Sequence, residues 1–137
     1  MMDDDGGDDP DAPAGQRRKK RERKPREYKP REARPIDAGQ LQELAVSYAA
    51  RYATTAAKLR RYLQRKLGER RWTPAEPADI DSLVARIVTL GYVDDRAYAA
   101  SKLRDLSARG FGAGRVKGAL GAAGVSRDDI AAALAPD

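Results

Sequence analysis

Between residues 41 and 134 the apolar side chains recur in short runs at helical spacing, each opened by a capping residue and all but the first closed by a glycine or a proline. Such punctuation confines the chain to a module of short packed helices. It is clearest in the stretch LGYVDDRAYAASKLRDLSARGFGAGRVKGALGAAGV, residues 90–125. Gly91 stops one helix, Asp94 caps the next, Gly110 and Gly112 turn a corner, and Gly124 ends a second short helix.

The same grammar orders the remaining helices. Asp37 caps a first helix in which Leu41, Leu44, Ala45, Tyr48, Ala49 and Tyr52 share one face. Thr54 or Thr55 opens a second, with Ala56, Leu59, Tyr62, Leu63 and Leu67 along its inner stripe and a stop near Gly68. Residues 69–79 read as a loop around Trp72, whose ring covers the edge of the bundle, and Asp79 caps a third helix carrying Ile80, Leu83, Val84, Ile87, Val88 and Leu90. In the fourth, Ala99, Lys102, Leu103 and Leu106 face inward with Tyr98 at the margin. Val116, Ala119, Leu120 and Ala123 form the fifth, and a capping box of Ser126 and Asp129 opens a sixth with Ile130 and Leu134.

The spacing of Leu63, Leu67 and Gly68 recurs in Leu120 and Gly124, with Leu63 and Leu120 lying 57 positions apart, so helices two and three have counterparts in helices five and six. The expected fold is all-α: two tandem three-helix, helix-turn-helix-like repeats over 36–92 and 93–137, the second shorter and rich in alanine and glycine. A disordered arm over 1–35 precedes them.

That arm is sharply divided in charge. Residues 1–16 hold six Asp and no base, whereas residues 17–35 hold eleven Lys or Arg against three Glu, with Pro25, Pro30 and Pro35 favouring extended chain. The basic part could grip phosphates or an acidic protein surface, or fold back on its own acidic neighbour. Residues 36–137 carry sixteen bases against twelve acids, so the helical part is mildly basic within a chain of net charge +6.

Catalysis has little to work with. There is no cysteine and no histidine, which removes thiolate nucleophiles, the usual zinc sites and imidazole acid-base chemistry. Asp94 and Asp95 are adjacent at a helix start, where carboxylates cap the helix and do not face one another. Gly110-Phe111-Gly112 has no preceding strand and no following Lys-Ser or Lys-Thr, so it is a corner and not a phosphate loop. No apolar run approaches the roughly 20 residues that span a bilayer. The chain is expected to be a cytoplasmic binding protein, with no enzymatic activity, no cofactor, no metal and no membrane contact.

Helical phase places Arg61 and Gln64 outward on helix two, Lys58 and Arg65 on one flank and Arg60 on the other. A basic helix after a short turn resembles a DNA recognition helix, but with no Asn or Gln beyond Gln64 to read base edges a solvated face is favoured over sequence-specific readout. Contact with the DNA backbone or an acidic protein stays open.

The run Gly91-Tyr92-Val93-Asp94-Asp95, then Ala99, Gly110-Phe111-Gly112, Val116, Leu120 and Gly124-Val125, resembles the RecX family of recombination regulators. Upstream, YAARYATTAAKL over residues 48–59 is similar to that family's first repeat, with Thr55 where a serine is usual and Leu59 at its leucine. The resemblance covers residues 41–134. It implies an all-helical protein of three-helix repeats that binds the filament of the RecA recombinase and modulates it, usually by inhibiting its ATPase and strand exchange. Two repeats stand where many members have three, which implies a shorter reach along a filament groove. The arm and the proline-containing insertion at 69–78 also depart from the family pattern.

Lys58, Arg60, Arg61, Arg65, Arg104, Arg115 and Lys117 are the expected partner- or nucleic-acid-facing residues of a monomer, with DNA backbone contact through these faces and through residues 17–35. Gly91, Asp94, Asp95, Gly110, Gly112 and Gly124 are the structural motif. The rival readings are a small helical DNA-binding or architectural protein acting directly on nucleic acid, and a module for an unrelated acidic partner.

Overall fold

The computed structural model describes residues 33–136; of the arm expected over residues 1–35, residues 1–32 lie outside them. The elements are β1 (Arg34–Ile36), α1 (Ala38–Arg51), α2 (Ala56–Glu69), β2 (Arg70–Trp72), α3 (Ile80–Thr89), α4 (Asp95–Ala108), α5 (Ala113–Ala122) and α6 (Arg127–Leu134).

Local chemistry sets nearly every helix boundary. Asp37 and Gln40 cap α1 reciprocally: the Gln40 N–H donates to Asp37 Oδ1 at 2.8 Å and the Asp37 N–H to Gln40 Oε1 at 2.9 Å. Thr55 caps α2, Asp94 caps α4, and Asp79 caps α3 by accepting from the Ser82 N–H and hydroxyl, which hold its carboxyl below the ordinary aspartate value. Ser126 caps α6, but only half of the expected box forms, because the Asp129 carboxylate turns instead to Arg96 at 3.2 Å.

Three helices end alike. Gly91, Gly110 and Gly124 have φ of 89°, 90° and 85°. After each, the next residue's N–H reaches back five positions, from Tyr92 to Ile87, Phe111 to Leu106 and Val125 to Leu120, which satisfies carbonyls that the helix leaves open.

Gly68 does not behave this way. It lies inside α2, which runs on to Glu69 and leaves through extended Arg70 straight into β2. The cause is a partner distant in sequence: β2 pairs in parallel with β1, in the register Arg34 to Arg70, Pro35 to Arg71 and Ile36 to Trp72. Of residues 69–79, expected as a loop, Glu69 therefore ends α2 and Arg70–Trp72 are strand, and Arg34 and Pro35 belong to the sheet where an arm is expected. Pro35 is tolerated because a two-stranded sheet has only edge strands. Ile36 is fully buried in one cluster with residues of α1, α2 and α3, and the Trp72 indole N–H donates to the Glu76 carbonyl at 2.7 Å while its ring covers the edge of the bundle as expected.

The helices bury two clusters. Ile36, Leu41, Leu59, Leu63 and Ile87 centre the first, and Ala99, Leu106, Val116 and Leu120 the second. Val93 joins the first cluster, one residue past the expected division of the repeats. Val88 and Leu90, expected on the inner stripe of α3, are 41% and 58% exposed, since α3 ends at Thr89 and its buried stripe is taken by Leu83, Val84 and Ile87.

The internal repeat is visible in three dimensions. At a separation of 57 positions Asp37 and Asp94 are both N-caps, Thr55 and Gly112 are both N-caps, and Leu59 with Val116 and Leu63 with Leu120 are all fully buried. The equation of Gly68 with Gly124 is the error, because Leu67 occupies the position that corresponds to Gly124. All regular structure outside β1 and β2 is helical among the described residues, so the all-α expectation needs that one amendment.

Two glycines should respond oppositely to alanine. At Gly124 a Cβ would overlap the Ala57 Cβ and sit at φ +85°, so Gly124→Ala is expected to cost more than about 2 kcal/mol. Gly118 is an exposed position inside α5 with open space around it, and Gly118→Ala should stabilise by about 0.5–1 kcal/mol. Urea unfolding of the two variants reads both signs.

Candidate interaction surface

The N-terminus of α2 is set against the second repeat. Thr55 is fully buried, and its hydroxyl oxygen accepts the Lys58 N–H at 3.1 Å while its proton goes to the Ala123 carbonyl, 68 residues on. The Ala56 N–H donates to Asp95 Oδ1 at 2.9 Å, and Arg61 Nη2 donates to the Ala122 carbonyl at 3.3 Å. Gly124 lies directly on Ala57.

Two helix ends thus satisfy one another: the open N–H groups of α2 meet a hydroxyl and a carboxylate, and the open carbonyls of α5 meet a hydroxyl and a guanidinium. The charges match the helix dipoles, with an anion at the α2 start and a cation at the α5 end. Asp94 and Asp95 accordingly divide their work. Asp94 caps its own helix by accepting from Ala97 at 3.0 Å, while Asp95 caps a different helix 39 residues away.

This seam redistributes the basic residues expected to face a partner. Arg60 is held by Asp81 of α3 at 2.8 Å, Arg61 reaches across the seam, and Lys58 stands 5.7 Å from the Tyr98 ring. Arg65 stays exposed beside the Tyr62 ring at 5.5 Å, and Arg115 lies over Phe111 at 4.1 Å. Arg65, Arg104, Arg115 and Lys117 are exposed and form no salt bridge among the described residues. The seven differ in what holds them, since outward helical phase is shared by side chains that reach only solvent and side chains that also reach a neighbouring helix.

The structure also gathers tyrosines that helical periodicity places on the buried stripes. A cleft of about 590 Å³ opens between the end of α1 and α2, lined by Tyr48, Tyr52, Tyr62, Arg51, Lys58 and Arg65 among others, with no carboxylate in its wall. Tyr48 stacks on Tyr62 with centroids 4.1 Å apart and planes at 16°, and Tyr52 is 5.2 Å from Tyr48. Tyr52, placed by periodicity on the buried stripe, is 52% exposed because it is the residue at which α1 ends. The available signal was an aromatic pair at i and i+4 with Arg51 between them. Among the described residues no acidic cluster is arranged to hold a metal ion, and no helix is long and apolar enough to cross a membrane.

Residues 94–134, from the α4 cap through α6, match the family model for RecX, second three-helix domain, and this supports a RecX family protein. Neither the curated proteins nor the solved structures yield a match.

Because the Thr55 hydroxyl serves both sides of the seam, Thr55→Val should destabilise by about 2–3 kcal/mol, from a lost cap together with a buried carbonyl left unpaired. Thr55→Ser keeps the hydroxyl and should lose about 1 kcal/mol, for one buried methyl. Chemical denaturation distinguishes them; equal losses would mean that the hydroxyl contributes nothing.

Proposed function

With a RecX second three-helix domain at residues 94–134 as its premise, we propose that the chain binds the filament of the RecA recombinase and restrains its ATPase and strand exchange in homologous recombination and DNA repair. The family match carries this reading. It falls on the helices whose Asp94 cap and whose Gly110 and Gly124 ends are built as described above, so the residues of the resemblance and the elements of the fold coincide.

Binding, not chemistry, suits what these residues offer. Exposed Arg65, Arg104, Arg115 and Lys117 can meet an acidic protein surface or the phosphates of DNA held within a filament. Arg60 and Arg61 have a positioning part instead: they tie α2 to α3 and to α5. The basic residues of 17–31 would extend the same contact, and a cytoplasmic monomer is the form in which such a regulator would act. A protein acting on DNA without the recombinase is the second reading, and the basic, tyrosine-lined cleft is the observation that favours it.

The two separate in a titration of recombinase ATPase on single-stranded DNA. The full chain should lower ATP turnover, and Arg104→Glu with Lys117→Glu should raise the half-inhibiting concentration by about tenfold, each reversed charge weakening a complementary contact. Unchanged inhibition would remove those residues from the interface. No inhibition by the unaltered chain, together with tight and steeply salt-dependent binding to DNA alone, would favour the second reading.

A further inference from the structure

The cleft between α1 and α2 has a chemistry that packing does not call for. It is lined by the stacked pair Tyr48 and Tyr62 and by Tyr52, half of whose surface remains in water at the point where α1 stops. An aromatic ring placed to serve a core would be covered; this one is not. Around it stand Arg51, Lys58 and Arg65, none of which is in a salt bridge among the described residues. Arg51 is 6.0 Å from the Tyr52 centroid, so cation and ring face share one approach.

An occupant must answer both features. An acidic peptide would meet the cations and leave the ring unused, and an apolar peptide would cover the ring while taking three cations out of water. A nucleotide supplies a flat base and an adjoining phosphate together. In a duplex the base faces are already stacked, so a strand with unpaired bases is needed. A volume of about 590 Å³ lies within the range of small-ligand clefts.

We propose that this cleft is a nucleotide subsite for single-stranded nucleic acid, with a base stacked on Tyr52 and the flanking phosphates held by Arg51, Lys58 and Arg65. The subsite gives the chain a direct hold on a strand, whether or not a recombinase is present.

Fluorescence anisotropy with the full chain tests it, using a labelled oligothymidylate, the matching oligouridylate, an abasic strand of equal length and a duplex. Stacking on an aromatic side chain contributes about 1–3 kcal/mol per base, so Tyr52→Ala should bind the base-containing strands at least about fivefold more weakly. Binding to the abasic strand and the duplex should be unchanged, and Tyr52→Phe should match the unaltered chain on every probe. The tighter of the two base-containing strands identifies whether DNA or RNA is the source. Three results would overturn the proposal: equal binding by Tyr52→Ala, an equal loss on all four probes, or Tyr52-dependent binding of an oligoglutamate peptide in place of the strands. No recombinase enters the assay, so its failure and the failure of the regulatory reading are distinct events.

Discussion

The rest of the structure depends on the meeting of the α2 N-terminus with the α5 C-terminus. Each repeat buries a small cluster, nine residues in the first and six in the second, and cores of that size give little stability in isolation. At the seam between them the polar ends of two helices become assets. Thr55, Asp95 and Arg61 each satisfy backbone groups of the other repeat, and these groups would otherwise need water in a place where Thr55 is wholly buried. Gly124 is what lets the backbones come close enough, since any side chain there would meet Ala57.

The features legible in the sequence were the local ones. Caps at Asp37, Asp79, Asp94 and Ser126, left-handed ends at Gly91, Gly110 and Gly124, and the stripes of α1 to α6 apart from Tyr52, Val88 and Leu90 are each set within a few residues by backbone geometry and hydrogen-bond need. Whatever depends on a distant partner was not legible. Three residues of strand carry no periodic signal, and Arg70–Trp72 are strand because Arg34–Ile36 lie beside them. Nothing local says that Asp95 caps α2, or that Gly68 continues a helix while Gly124 ends one.

The candidate surface shows the same division more sharply. Helical phase placed Arg60, Arg61 and Arg65 on the outer side of α2, and the structure gives the three different fates: an ion pair with α3, a bond across the seam, and open solvent. Tyr52 is the converse, an apolar position in the helical pattern that escapes burial because the helix ends beneath it. Function in a binding protein of this kind lies in what the packing leaves over. Here that remainder includes, among the described residues, exposed Arg65, Arg104, Arg115 and Lys117, none in a salt bridge, and one aromatic cleft with no acid in its wall.

The regulatory account stands or falls on physical association with the assembled filament. In co-sedimentation, the full chain should pellet saturably with recombinase filaments formed on single-stranded DNA, well above the amount that pellets with the same DNA alone. A chain that stays in the supernatant with filaments, or pellets equally with bare DNA, would contradict it.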